Sequence, residues 1–210
     1  MYILGINAFH GDSSACILQN GVIIAATEEE RFRRIKHWAG FPSEAIKFCL
    51  REANIEITDV DYITISRDPS ANLHKKIIHS VKNLVSVKAL KDRLANSRKV
   101  VSTKGELAKI FNISEDEIKA EVKNIEHHRS HLASAFFASP FEESAILSID
   151  GFGDFTSTMI ATGKGNKIDV LDTVIYPHSA GIFYTSLTQY LGFPHYGDEY
   201  KVMGLAPYGE

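Results

Sequence analysis

Two stretches of the sequence match each other: Leu4-Gly-Ile-Asn-Ala-Phe-His-Gly-Asp-Ser-Ser14 and Leu147-Ser-Ile-Asp-Gly-Phe-Gly-Asp-Phe-Thr-Ser157. Each is an apolar strand that runs into a turn of small residues and then into a return strand rich in Ser or Thr. Two copies of one β-hairpin predict a duplicated, two-lobed fold whose turns face a cleft, where backbone amides can bind phosphate oxygens. The alternative is a chance similarity between two hydrophobic hairpins, because short glycine-rich turns recur widely.

The residues around the first copy predict a sheet with helical connections, which is an α/β arrangement. A hairpin turn is expected at Asn20-Gly21, and Ser43 is expected to cap a helix with apolar residues at helical spacing. Strands are expected over residues 2–7, 13–18, 22–27 and 60–66.

Further along the chain, the pattern Ser114-x-x-Glu117 is a capping box that predicts a short helix to about Val122. A helix is expected over residues 181–191. The polar stretch 197–204 is expected to be a functional loop, because polar loops often carry binding residues. The final residues, 203–210, have a loop-like composition.

The composition is that of a globular protein: 44% of the 210 residues are hydrophobic, and 23 Lys and Arg balance 26 Asp and Glu. The formal net charge of −3 gives no global attraction to nucleic acid, so we expect no nucleic-acid partner. Two cysteines cannot form a disulfide framework, and no apolar run approaches the about 18 residues that span a bilayer. The sequence predicts a cytoplasmic protein without a membrane partner.

The segment 74–104 carries nine Lys or Arg against one Asp, with apolar residues near a helical period. One or two amphipathic helices are expected there. The basic residues suit either a solvated helix face or a patch for phosphate or an acidic partner.

His127 and His131 are four residues apart, which places both imidazoles on one face if the segment is helical. This spacing can chelate a metal, and Asp150 at a strand end is the nearest oxygen donor expected to reach them. The alternative is ordinary surface or polar packing. His128 lies off the shared face and suits a hydrogen bond to a substrate or to a group behind the ligands.

Two further polar stretches have two interpretations each. His10 beside Asp12 suits a general base near neutral pH, or a solvent-exposed His beside an Asp that stabilises the turn. The run Glu28-Glu-Glu-Arg-Phe-Arg-Arg-Ile-Lys-His37 changes from carboxylates to cations. It suits an ion-paired helix or, beside a glycine-rich turn, a site for a phosphoanion.

Six motifs in this order resemble the O-carbamoyltransferases of the nodulation-protein and antibiotic-tailoring family. The motifs are His10-Gly-Asp-Ser-Ser-Ala15, Glu28-Glu-Glu-Arg-Phe-Arg-Arg-Ile-Lys-His37, Phe41-Pro42, His127-His-x-x-His131, Ile149-Asp-Gly151 and Gly197-Asp-Glu-Tyr-Lys-Val-Met-Gly-Leu-Ala206. The resemblance implies an actin-like, sugar-kinase fold of two ribonuclease-H-like lobes. In that family a YrdC-like domain transfers the carbamoyl group of carbamoyl phosphate onto AMP from ATP. The carbamoyladenylate then reacts with a substrate hydroxyl in a domain like this one.

The resemblance also implies roles for individual residues, including a divalent metal that is iron in relatives. His10 is expected to deprotonate the acceptor hydroxyl, and Lys36 to offset charge on the leaving phosphate. Relatives supply a further Asp ligand from later in the chain. The expected metal ligands are His127, His131 and Asp150, and the expected substrate contacts are Arg67, Asp68, Asp198 and Lys201.

The expected domains are a first lobe over 1–143, with a helical insertion around 74–125, and a truncated start of a second lobe over 144–210. Relatives are more than twice as long. We therefore expect these residues to lack the YrdC-like domain and to be unable to form carbamoyladenylate alone. Two alternatives stay open: a relative acting in tRNA threonylcarbamoyl transfer, and a non-catalytic nucleotide- or metal-binding module.

Overall fold

The computed structural model describes residues 1–82 and 103–209. The chain folds as two compact units, Met1–Ile125 and Glu126–Glu210. The first contains a mixed sheet with helical connections, so the predicted α/β class is confirmed. The predicted lobe boundary between residues 143 and 144 lies inside the second unit and stays a prediction.

The first unit is built on a five-stranded sheet in the order β3-β2-β1-β4-β5. The first three strands form the predicted antiparallel meander, and its turn places Asn20 and Gly21 at φ 52° and 86°. β4 and β5 add in parallel. The strands are β1 (Tyr2–Asn7), β2 (Ser14–Gln19), β3 (Val22–Glu28), β4 (Tyr62–Ile65) and β5 (Glu121–Asn124).

Helix α2 of the first unit packs on this sheet, and a later helix of the unit lies at the start of the basic segment. Ile46, Cys49 and Leu50 of α2 are buried in a core with Leu4 and Ile17 of the sheet. Residues 83–102 of the basic segment 74–104 lie outside the described residues. The described helices of this unit are α1 (Glu30–Arg33), α2 (Ser43–Ala53), α3 (Leu73–Lys82) and α4 (Thr103–Phe111).

Two local predictions in this unit are wrong in an informative way. Ser43 does not cap α2 with its side chain; the buried Glu29 carboxylate accepts hydrogen bonds from the amides of Glu44 and Ala45 instead. The capping box at Ser114 is present, but it opens only a 3₁₀ helix, Glu115–Glu117. The helix expected to reach Val122 is absent, because Val122 belongs to β5 and pairs with Ile63 of β4.

The second unit contains a three-stranded antiparallel sheet in the order β6-β7-β8. Leu132 and Phe136 of α5 pack against Ile146, Met159 and Ala161 to form its core. The elements are α5 (His127–Phe136), β6 (Glu143–Gly153), β7 (Thr156–Lys164), β8 (Lys167–Ile175), α6 (Ala180–Tyr190) and α7 (Glu199–Leu205).

The stretch expected to be a loop over 197–204 is instead mostly α7. A 3₁₀ helix, Ala206–Tyr208, follows directly, so the loop-like composition of the final residues also misled the prediction. Gly204 is accommodated in α7 without any close contact at the position of a Cβ. The polar residues of this stretch therefore lie in a helix and in the residues just before it.

The two matching stretches form matching hairpins. Leu4 pairs with Ile17 in the first hairpin, and Leu147 pairs with Ile160 at the same offset in the second. Leu4 and Ile17 are fully buried, whereas Leu147 and Ile160 are 59% and 41% exposed. The two hairpins therefore have the same strand pairing, but the paired residues are buried in the first and exposed in the second.

Candidate metal centre

Two carboxylates cap the start of α5, and one of them, Asp154, directly follows β6. Glu126 accepts a hydrogen bond from the amide of Arg129 at 2.8 Å, and Asp154 accepts one from the amide of His127 at 2.9 Å. These bonds satisfy amides that a helix N-terminus leaves unpaired. The helix consequently begins at His127, close to the end of the strand that carries Asp150.

The structure brings together the three residues that were expected to bind a metal. The Nε2 atoms of His127 and His131 are 2.9 Å apart. Asp150 Oδ2 lies 2.8 Å from the Nε2 of His127 and 3.6 Å from the Nε2 of His131. The i,i+4 spacing therefore places both imidazoles on one face of α5, with the carboxylate between them and the strand.

The electrostatics of this cluster favour an ionised carboxylate. Hydrogen bonds from His127 and His131 hold the pKa of Asp150 well below its usual range. The amide of Gly151 also donates to Asp150 Oδ1, at 2.6 Å. Asp150 is therefore an anionic oxygen donor at neutral pH.

The donor set fits a divalent metal. Bonds of about 2.0–2.2 Å to a metal place neighbouring ligand atoms about 3 Å apart, close to the separations found here. Two imidazole nitrogens and one carboxylate oxygen suit a first-row metal and leave further coordination positions open. Within the described residues, this cluster is the set of three His, Cys, Asp or Glu side chains whose ligand atoms converge.

Two glycines and a serine shape this site, and none was singled out in the sequence. A Cβ on Gly153 would lie 2.0 Å from the His127 ring, and one on Gly181 would lie 2.4 Å from the carbonyl oxygen of Asp150. Ser179 caps α6 through the amide of Ile182 and also donates to the carbonyl of Gly151. Of these three features, the sequence indicates only the cap, because Ser179 lies just before the helix expected over 181–191.

His128 points away from the ligand face and is fully buried. Its ring bonds to Ser148 of β6 and to the backbone of Thr156 in β7. Burial is the main cause that lowers its pKa, so the ring is neutral. The interpretation of His128 as a group behind the ligands agrees with this position, whereas a direct substrate contact does not.

His10 lies in the turn between β1 and β2, where its Nδ1 is 3.1 Å from the carbonyl of Gly11. The nearby Asp12 carboxylate is bonded to Nδ1 of His37 at 2.9 Å. The turn is fixed to the loop after α1 because Ser13 donates to the carbonyls of Trp38 and Gly40. The carboxylate beside His10 in the sequence therefore bonds a second histidine, His37.

The run with the change of charge sign is ion-paired, as one of its two interpretations predicts. Lys36 pairs with Glu30 at 2.7 Å, which raises the pKa of Lys36 and lowers that of Glu30. Within the same run Arg31 pairs with Glu28 at 3.3 Å, and Arg33 with Glu29 at 2.9 Å. The Lys36 side chain is 83% exposed, so its ammonium remains accessible to a ligand.

The four residues expected to contact substrate lie in two places. Arg67 and Asp68 follow β4, where Asp68 accepts hydrogen bonds from the amide and hydroxyl of Ser70. Asp198 and Lys201 pair with each other at 2.6 Å at the start of α7, and Lys201 lowers the pKa of Asp198. Arg67 and Asp68 thus belong to the first unit with His10 and Lys36, and the other pair to the unit that holds the expected metal ligands.

Across residues 1–82 and 103–209, every helix is too short or too polar to cross a membrane. This finding rests on the hydropathy and length of the helices alone.

Three curated proteins align with almost the whole chain. The uncharacterized protein sll1178 of Synechocystis sp. is 40% identical over 215 residues, covering 100% of this chain and 35% of that protein. The nodulation protein NolNO of Sinorhizobium fredii is 36% identical, covering 97% and 28%. The uncharacterized protein MJ1051 of Methanocaldococcus jannaschii is 28% identical, covering 98% and 33%. The chain therefore spans about a third of the length of these relatives.

Among solved structures, YeaZ from Pseudomonas aeruginosa is similar with a TM-score of 0.43 and 13% identity, covering 84% of this chain and 67% of that one. The ethanolamine utilization protein EutJ from Carboxydothermus hydrogenoformans has a TM-score of 0.42 and 13% identity, covering 92% and 58%. The profile of the family described as "Carbamoyltransferase N-terminus" matches residues 2–210. Because this match extends over nearly the whole sequence, the chain belongs to the carbamoyltransferase N-terminus family.

Proposed function

We propose that the chain is the amino-terminal part of an ATP-dependent O-carbamoyltransferase. In this proposal the carbamoyl group passes from carbamoyl phosphate, by way of carbamoyladenylate, to a hydroxyl of a small sugar-like or antibiotic acceptor. Family membership supports the transferase class, and the relative NolNO is named as a nodulation protein. The observation that carries the proposal furthest is the convergence of His127, His131 and Asp150 in the second unit.

We assign these three side chains to a divalent metal, with iron as the expected ion. A bound metal would act as a Lewis acid toward a phosphate or carbamoyl oxygen. The chain's own contribution is to keep Asp150 ionised and to hold both imidazole Nε2 atoms within hydrogen-bond distance of each other. Donor atoms that are already close reduce the ordering required when the ion binds.

His10 and Lys36 are the proposed catalytic residues of the first unit. His10 takes the proton from the acceptor hydroxyl, which makes the oxygen a better nucleophile. Lys36 offsets negative charge on the leaving adenylate phosphate, and its exposed side chain can turn from Glu30 toward that charge. The buried Ser13 hydroxyl donates to the carbonyl of Gly40, which fixes the backbone of the turn that carries His10.

The remaining assignments follow from the resemblance and from position. Arg67 and Asp68 are proposed to contact the acceptor, and Asp198 and Lys201 to contact the donor or its phosphate. The existing pair between Asp198 and Lys201 would have to open for Lys201 to bind a phosphate. The matching hairpins support a two-lobed actin-like fold, in which each hairpin begins one lobe.

The test of this function uses the protein in its full natural length, supplied with ATP, carbamoyl phosphate and a panel of hydroxyl acceptors. His10→Ala is expected to abolish carbamoyl transfer and to leave carbamoyladenylate formation intact. Loss of both steps in a folded His10→Ala protein would contradict the role of His10 as the base. Absence of both activities in the unchanged protein would contradict the transferase itself and favour a non-catalytic module.

A further inference from the structure

His128 occupies a position that neither ligand histidine shares. It follows His127 directly in α5, yet its side chain enters the interior while His127 and His131 face Asp150. A polar ring without solvent contact must satisfy both nitrogens inside the protein. His128 does so with one group from each strand of the hairpin that carries Asp150.

The two partners determine the tautomer of the ring. The Thr156 carbonyl can only accept a hydrogen bond, so Nε2 of His128 carries the hydrogen and donates to it at 3.0 Å. Nδ1 then has a lone pair and accepts from the Ser148 hydroxyl at 2.8 Å. Both ring nitrogens are committed, and the ring has no spare group with which to bind a metal.

These two bonds connect α5 to the part of the sheet where Asp150 lies. Ser148 precedes Asp150 by two residues on β6, so both side chains lie on the same face of the strand. Thr156 is the first residue of β7, directly after the turn, and pairs with Gly153. His128 therefore fixes the distance from the helix that carries two ligands to the strand that carries the third.

We propose that His128 is a positioning residue for the metal centre, which acts through Ser148 and Thr156 to hold α5 in register with the Asp150 strand. The inference rests on the proposed metal site and goes beyond it, because it assigns the preorganisation of that site to a residue that is not itself a ligand. The His128 ring also meets the rings of His127 and His131 edge-on, with centroids 5.5 and 5.8 Å apart. Hydrogen-bonding groups behind metal ligands change metal affinity about 10–100-fold when removed.

The experiment measures Co²⁺ binding to the 210-residue chain by competition with a chromophoric chelator, and records the visible spectrum of bound Co²⁺, which reports coordination geometry. His128→Leu keeps a buried side chain but loses both hydrogen bonds. We expect its apo form to keep the far-UV circular dichroism of the unchanged protein, its Co²⁺ Kd to rise about 10–100-fold, and its spectrum to change.

Two variants separate positioning from a general structural effect. His128→Gln keeps one donor and one acceptor near the ring nitrogens, and is expected to restore most of the affinity and the spectrum. Ser148→Ala leaves the helix and the ring in place and removes one bond, so the Kd is expected to rise by a smaller factor. If His128→Leu fails to fold, Ser148→Ala still decides the question.

Unchanged Co²⁺ affinity and an unchanged spectrum in folded His128→Leu would overturn the proposed role. For a Leu variant that does not fold, an unchanged affinity in Ser148→Ala would do the same. A lack of Co²⁺ binding by the unchanged chain would overturn the metal centre and this role with it. The two failures can be told apart. If the metal centre is wrong, the unchanged chain does not bind Co²⁺; if only the role of His128 is wrong, the unchanged chain binds Co²⁺ and the variants bind it equally well.

Discussion

At the scale of single residues, one buried carboxylate, that of Glu29, links a helix, a strand end and an arginine. Glu29 is fully buried, and its carboxylate accepts hydrogen bonds from the amides of Glu44 and Ala45 at 2.9 and 2.8 Å. Arg33 pairs with the second oxygen at 2.9 Å. One side chain thus caps α2 from a distance and links it to the end of β3.

Glu29→Gln is expected to lower the free energy of unfolding by about 1–3 kcal/mol, because it weakens charge-assisted bonds inside the protein. Urea unfolding followed by circular dichroism measures the change. Glu28→Gln is the matched control, since its side chain is 44% exposed and makes one surface pair with Arg31. We expect the control to change stability by less than about 1 kcal/mol. Equal effects of the two substitutions would contradict the capping role of Glu29.

The convergence of the three proposed ligand residues could be predicted from the sequence, whereas the contacts that support them could not. Two features of the sequence predict that the cluster forms: the i,i+4 spacing of His127 and His131, and the position of Asp150 at a strand end. The bonds from His128 to Ser148 and Thr156 depend on how a helix packs on two strands. No local pattern encodes that packing.

At the scale of elements, the close approach of α5 to β6 is made possible by a residue without a side chain. A Cβ on Gly153 would lie 2.0 Å from Cδ2 and 2.6 Å from Cβ of His127. The backbone of the strand and the ring of His127 therefore occupy adjacent space, and a methyl group at 153 forces one of them to move.

Gly153→Ala is expected to move His127 away from Asp150 and to lower Co²⁺ affinity at least about 10-fold, with a loss of stability of about 1–3 kcal/mol. Chelator competition and urea unfolding report the two effects. Gly204→Ala in α7 is the matched control, because its Cβ would meet no heavy atom within 4 Å. Gly153→Ala protein with the Co²⁺ affinity of Gly204→Ala would refute this account of the helix–strand contact.

Local patterns predicted most elements of the fold and failed where distant residues decide. The meander and α2 follow from apolar periodicity and from the Asn20-Gly21 turn. Residues 118–122 were expected to be helical, but the parallel partner β4 draws Val122 into a strand. Parallel pairing joins residues that are far apart in the sequence. The residues next to Val122 in the sequence are therefore not enough to predict that it lies in a strand.

At the scale of the whole molecule, the chain is two units that begin their sheets with the same hairpin. In the first unit the hairpin is covered by α2, and Leu4 and Ile17 are core residues. In the second unit the counterpart residues Leu147 and Ile160 are exposed. The sequence repeat predicted the paired strands, but burial depends on which elements cover each sheet.

The proposed functional groups are divided between the units. His10 and Lys36 belong to Met1–Ile125, and the three proposed metal ligands belong to Glu126–Glu210. The proposed metal centre uses residues of one unit, so in this proposal metal binding does not require a ligand from the other. The central claim can consequently be tested on this chain before any assay of carbamoyl transfer.

The most direct measurement is the iron content of the chain after anaerobic incubation with Fe²⁺ and removal of unbound metal. We predict one Fe²⁺ per chain for the unchanged protein and for His10→Ala, and loss of that iron in His131→Ala and Asp150→Asn. Circular dichroism confirms that each variant is folded. Retention of one Fe²⁺ by folded His131→Ala and Asp150→Asn, or no bound Fe²⁺ in the unchanged protein, would contradict the metal centre.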